Sequence, residues 1–209
     1  MKNLILSCIY YSKKKCILFF ITAGVVFFAS AFKKNEQATH LPALNSQDSN
    51  LSKKAFLVVY DVLMSPRCMN CHPAGDVPLI GDESKLHPQG AKRGKDGRGM
   101  YASKCVNCHL DSNQAGLNMP PGGPDWRLPP ADMKMVFQGK TPRELAAQLL
   151  DTATNSHKTN AALIEHIAAD QLVLVGWNPG EGRKQPPVSH EAFTAQFKLW
   201  IENGAFLPD

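Results

Sequence analysis

A chain of 209 residues, 44% hydrophobic and 20% charged, has room for one domain with its own core or two very small ones, and its composition is that of an ordinary folded protein. The formal charge of +5 misleads as a whole, because Lys2, Lys13, Lys14 and Lys15 and no acid precede residue 32, which leaves the remainder close to neutral. That distribution counts against a general nucleic-acid footprint.

Lys13, Lys14 and Lys15 precede an apolar run over residues 16–32, within which Ala29-Ser30-Ala31 offers a small-x-small cleavage site. Residues 1–31 are therefore expected to be an export signal. The run exceeds the roughly 7–15 residues of a signal core and reaches the ~17 of a short membrane span, so an uncleaved N-terminal anchor is the alternative. In either case the rest of the chain lies in the periplasm or on the outer face of the cytoplasmic membrane. Only Cys68, Cys71, Cys105 and Cys108 lie beyond this leader, in an oxidising setting where thiols are normally engaged.

Residues 32–52 are polar and read as a linker, with a folded domain over residues 53–209. Residues 55–64 form an apolar segment whose length favours a helix, and Pro66 is expected to end it. CMNCH follows at 68–72. Residues 81–100 combine glycines with Lys85, Lys92, Arg93, Lys95 and Arg98 and read as a flexible, solvated basic loop, or alternatively as a docking surface for an acidic partner or as cations near a carboxylate-bearing cofactor. CVNCH occupies 105–109. The stretch NMPPGGPDWRLPPA at 118–131 is too rich in proline for helix or central strand. Thr141-Pro142-Arg143-Glu144 is a capping box with proline at the first helical position, opening a helix through Leu150. A helix over residues 160–169 is expected to bury Leu163, Ile164 and Ile167. A turn-rich stretch covers residues 178–187, and a last helix from Ser189 to Gly204 places Phe193, Phe197, Trp200 and Ile201 on one face.

Three chemistries use a Cys-x-x-Cys pair: a redox disulfide, a zinc site and covalent haem attachment. The histidine that follows each pair discriminates among them. On a helical turn, cysteines at i and i+3 project to one side with a histidine at i+4 beside them. Both sulfurs then reach the vinyl groups of one haem while the imidazole reaches its iron. A four-cysteine zinc site would need the pairs much closer, since residues 72–104 between them are about twice the roughly 15–20 of a zinc ribbon, and it leaves His72 and His109 without a task. A redox disulfide leaves them idle too. The expectation is two haem c groups, one on Cys68, Cys71 and His72, the other on Cys105, Cys108 and His109.

Each iron has one further axial position, and its occupant separates electron transfer from ligand chemistry. Met119 is the leading methionine, because the prolines that follow it stiffen its loop. His87 lies on the chain between the motifs, within reach of either haem, and His166 lies on the apolar side of a short helix. His157, His190, Met100, Met133 and Met135 are weaker candidates. Trp126, Trp177 and Trp200 are candidate haem-edge packers, with ordinary core burial as the other reading.

From about Ala55 onward, PRCMNCHPAGD, CVNCH, NMPPGGPDWRLPP, MKMVFQGKTPREL, GWNPGEGR and KLWIENGA resemble a group of small bacterial dihaem proteins labelled isoquinoline 1-oxidoreductase subunit. The resemblance implies a cytochrome partner for a molybdenum hydroxylase, receiving electrons from the oxidation of an N-heterocycle or aldehyde. Members of that group often carry a further cysteine pair near the positions of Ala146 and Leu207, and this chain lacks both. The fold expected is mostly α, a small cytochrome c-like helical domain with long irregular loops wrapped around two haems. The function expected is electron carriage to or from a redox partner protein rather than catalysis. A dihaem peroxidase-like enzyme, or a haem-based sensor with one open axial position, is the alternative.

Overall fold

The computed structural model of the chain describes residues 46–209; the expected export segment and the first part of the linker lie outside the described residues. The described part is mostly helical, with two short β-ribbons and long irregular segments. No helix among the described residues is long and apolar enough to cross a membrane.

Helix α1 (Ser46–Leu63) is longer than its apolar stretch and begins inside the expected linker, ahead of Lys53. The reason is Ser52, a polar residue on the buried side of the helix. Its hydroxyl donates to the Trp200 carbonyl at 2.9 Å and accepts from the Phe206 amide at 3.0 Å. A fully buried serine that both donates and accepts fits a core, and hydropathy does not reveal it. Ser52→Ala leaves the Phe206 amide without its acceptor, and the expected loss is about 1–3 kcal/mol of stability, read from denaturant unfolding of the protein.

The helical core is built on α1 and the last helix, α6 (His190–Glu202). Ala55, Phe56, Val59, Val62 and Leu63 recur at helical spacing on α1 and meet Phe193, Phe197 and Trp200 of α6. Phe56 and Trp200 have ring centroids 4.5 Å apart, and the Trp200 indole donates to the Phe206 carbonyl at 3.1 Å. Trp200 is thus a core residue and no haem-edge packer. Helix α6 stops as its sequence indicates: Gly204 takes φ 96°, the Gly204 amide bonds the Ile201 carbonyl and the Ala205 amide bonds the Trp200 carbonyl. That pair of bonds is the Schellman arrangement, which the missing Cβ of glycine permits.

Two further helices complete this layer. Helix α3 (Pro142–Leu150) opens on the expected capping box, with Thr141 and Glu144 bonded reciprocally, and buries Leu145, Ala146 and Leu149. Helix α4 (Asn160–Ala169) has the expected bounds, is capped by Thr159 and buries Leu163 and Ile167, with Ile164 packed against the core. A short α5 (Gln171–Leu174) and a 3₁₀ turn at Val175–Trp177 follow. The Trp177 indole donates to the Val188 carbonyl, and its ring lies against Phe193 and His190.

The stretch between residues 69 and 134 is organised differently. The hydrophobic cluster draws on residues 55–68 and 135–207 and takes nothing from between them. Pro66 ends α1 and opens the one-turn helix α2 (Pro66–Met69). Strands β1 (Leu79–Ile80) and β2 (Lys85–Leu86) form one antiparallel ribbon, β3 (Gly99–Met100) and β4 (Ser103–Lys104) another. The expected loose basic loop at 81–100 is therefore partly ordered, and Arg93 within it is only 1% exposed. Lys85, Lys92, Lys95 and Arg98 are exposed, as a solvated loop requires. Eight of the ten large hydrophobic side chains that stay exposed among the described residues, from Ile80 to Met119, belong to this stretch.

Candidate haem-attachment sites

Both Cys-x-x-Cys-His segments fold into a single helical turn. In the first, the Cys71 amide bonds the Cys68 carbonyl at 3.2 Å and the His72 amide bonds the Met69 carbonyl at 3.0 Å. In the second, Cys105–Asn107 is a 3₁₀ turn, and the Cys108 and His109 amides both bond the Cys105 carbonyl, at 3.2 and 2.9 Å. Pro66 starts the first turn, whereas the second is launched from the β3–β4 ribbon, where the Cys105 amide bonds the Arg98 carbonyl. All four cysteines are free thiols. Among the described residues no three His, Cys, Asp or Glu side chains converge as a metal cage.

The two histidines are held in the same way by unrelated pieces of chain. His72 Nδ1 lies 2.7 Å from the Met135 carbonyl, and His109 Nδ1 lies 2.7 Å from the Pro121 carbonyl. A carbonyl accepts, so each ring carries its proton on Nδ1 and has Nε2 as its lone-pair nitrogen. Each ring is also stacked on an aromatic side chain: His72 on Phe137 at 3.9 Å and 9° between planes, His109 on Trp126 at 4.5 Å and 4°. Trp126 is the one tryptophan of the three that lies against a motif histidine.

The segments that supply these contacts are tied to the motifs by backbone bonds. Around His72, the Phe137 and Gln138 amides bond the His72 carbonyl, and the Gln138 side chain accepts from the Ala74 amide at 2.9 Å. Around His109, the Gly123 amide bonds the Leu110 carbonyl at 2.8 Å and the Gly122 amide bonds the Asn113 side chain at 2.8 Å. A Cβ on Gly122 would overlap the Ser112 carbonyl, so only glycine lets the proline-rich segment come this close.

Burial governs the ionisation of the site. Loss of solvent pushes Cys68 up to about 12 and Cys71 up to about 11, so both are neutral thiols at physiological pH. Loss of solvent holds His72 down at about 4, and it lowers His109, His87 and His166 as well. Neutral imidazole is the form that binds a metal. The two motifs also stand near one another, close enough that Cys105 bears on the ionisation of Cys71.

The three candidates for the remaining axial positions are placed differently. His87 follows β2, its amide bonded to the Pro78 carbonyl at 3.0 Å, and its ring lies 6.4 Å from that of His109. His166 on α4 is partly exposed, its Nδ1 3.0 Å from the Asp170 carboxylate, and it bears electrostatically on His72. Met119 is 42% exposed, and its side chain runs beside Gly116. Its loop lies behind His109, since Pro121 holds the nitrogen that points away from a metal. Of the weaker candidates, His190 is bonded through Nε2 to the Ile167 carbonyl at 2.8 Å, and His157 is exposed.

Sequence reasoning missed the two carbonyls, Phe137, and Arg93. No local signal marks a carbonyl acceptor, and Arg93 sits among exposed cations of the same segment. Its guanidinium donates to the Pro129 carbonyl at 2.5 Å and the Gly75 carbonyl at 3.2 Å, with Asp76 3.4 Å from Nε. It thereby joins the chain after the first motif to the proline-rich segment that wraps the second. No protein-family model, curated protein or solved structure matches this chain.

Proposed function

We propose that this chain is an exported dihaem c-type cytochrome that carries electrons, serving as the accepting partner of a molybdenum hydroxylase or dehydrogenase outside the cytoplasmic membrane. The observation that carries the reading is the matched environment of His72 and His109. Each follows a one-turn pair of free thiols, each gives its Nδ1 proton to a backbone carbonyl at 2.7 Å, and each is stacked on an aromatic ring. A ligating histidine characteristically gives its other N–H to a carbonyl or carboxylate, which orients the ring and raises its basicity. A four-cysteine zinc cage or a redox disulfide would leave both histidines without a task.

The uncovered apolar side chains between Ile80 and Met119 support the same reading, because two macrocycles would supply the core that residues 69–134 lack. Haem supplies a one-electron iron centre when bound. The residues of this chain do the rest: Cys68, Cys71, Cys105 and Cys108 fix position, and His72 and His109 hold one axial site each. Arg93, buried beside the first motif, is a fixed positive charge that favours the reduced state.

The carrier is preferred to a peroxidase-like enzyme or a sensor because histidines stand near both motif histidines: His87 beside His109, and His166, its Nδ1 held by Asp170, in the neighbourhood of His72. Matured protein is expected to give two haems per chain by the pyridine haemochrome assay, both low-spin and unchanged by carbon monoxide after reduction. No covalent haem would sink the whole reading. One high-spin haem that binds carbon monoxide would overturn the carrier in favour of the enzyme or sensor.

A further inference from the structure

The geometry points to His87 as the second axial ligand of the iron held by His109, an inference that rests on the dihaem reading and adds which side chain closes which site. Two imidazoles on opposite sides of one metal each contribute a metal–nitrogen bond of about 2.0 Å and about 1.1 Å from that nitrogen to the ring centre, so their centroids stand about 6.2 Å apart. The rings of His87 and His109 have centroids 6.4 Å apart. Their planes differ by 55°, which is compatible with two rings turned about a shared bond axis.

His87 also differs from the other part-buried histidines in having no hydrogen-bond partner. His72 and His109 use Nδ1 on carbonyls, His190 uses Nε2 on a carbonyl and His166 uses Nδ1 on Asp170. His87 Nδ1 is buried with nothing to bond. An unmatched buried ring nitrogen is unfavourable, and ligation through that same nitrogen would satisfy it. On His109, Nδ1 and one ring face are already occupied by Pro121 and Trp126, and His87 comes up to what is left open.

The delivery of His87 is built into the first motif. The Leu79 amide bonds the Asn70 carbonyl at 3.0 Å, the Asn70 side chain donates to the Gly81 carbonyl at 2.9 Å, and Arg67 pairs with Asp82 at 2.7 Å. The β1–β2 ribbon is thus pinned to the turn that carries Cys68 and Cys71, and its outgoing strand leads into the residue beside His109. One haem site therefore positions a ligand of the other.

The test is spectroscopic, on matured full-length protein. His87→Ala is expected to keep two covalent haems, turn about half of the iron high-spin and let that half bind carbon monoxide, with added imidazole restoring the low-spin spectrum. His87→Met serves as a second variant with a bulkier side chain, expected to keep the iron low-spin with a raised reduction potential at one centre. In a chain that also carries Cys105→Ser and Cys108→Ser, His87→Ala is expected to leave the remaining haem unchanged. Two low-spin haems in His87→Ala, or a change at the haem of the first motif, would overturn the assignment while leaving the dihaem reading intact. Absence of covalent haem in the unaltered protein would instead overturn the reading on which it rests.

Discussion

The double variant Cys105→Ser/Cys108→Ser is expected to carry one haem instead of two, and to become sensitive to protease around the second motif while the helical core persists. The first half follows from attachment: without thiols at either position no thioether forms, and His109 alone holds a haem only reversibly. The second half follows from where the apolar contacts are. Residues 55–68 and 135–207 share one hydrophobic cluster, with Phe56, Phe193, Phe197 and Trp200 at its centre. Residues 69–134 add nothing to it, and their buried apolar side chains, Leu79 and Leu128, stand apart. A group bound only by the native state stabilises the region that binds it, and its loss is felt locally. Mass spectrometry of the intact chain counts the haems, and limited proteolysis reports the opened region. Retention of both haems would sink the assignment of this motif. Loss of both would mean that the second site is needed to build the first.

Arg93→Met is expected to be the most destabilising single substitution in the irregular stretch, by about 2–4 kcal/mol. The side chain is 1% exposed, and it donates to the Pro129 and Gly75 carbonyls while pairing with Asp76. Methionine fills much of the volume but leaves both carbonyls without a donor. Asp76 is less affected, being exposed and also paired with Lys134 at 2.8 Å. Arg93→Lys keeps the charge but cannot reach two carbonyls with one planar fork, and an intermediate loss is expected. Denaturant unfolding monitored in the haem absorption band gives the magnitude. A lower reduction potential for the first haem in Arg93→Met would separate the electrostatic contribution from the structural one, since removing a nearby cation favours the oxidised state. A loss below about 1 kcal/mol would show that water replaces the guanidinium and that the burial is incidental.

The sequence by itself determined the parts of this protein that depend on neighbours along the chain. Helices α3 and α4 have the bounds expected of them, because Thr141, Glu144 and Thr159 bond within their own first turn. The end of α6 at Gly204 and the bury-facing positions Phe193, Phe197 and Trp200 are likewise local, set by one glycine and by helical periodicity. The single helical turns that carry Cys68, Cys71 and His72, and Cys105, Cys108 and His109, are local for the same reason, since that spacing matches one turn of helix.

The tertiary structure alone decided what depends on distant partners. Ser52 is indistinguishable from a linker serine until Trp200 and Phe206 are brought to it, and Arg93 from a solvated cation until Pro129 and Gly75 close over it. The choice between His87 and Met119 for the site at His109 was open in the sequence because both are within chain reach. The fold places them differently: the carbonyl of Pro121, two residues after Met119, bonds His109 Nδ1, while the β1–β2 ribbon brings the His87 ring to 6.4 Å from that of His109. Spacing along a chain specifies a turn. Which side of a metal a side chain occupies depends on how separate segments pack, and no local pattern encodes that.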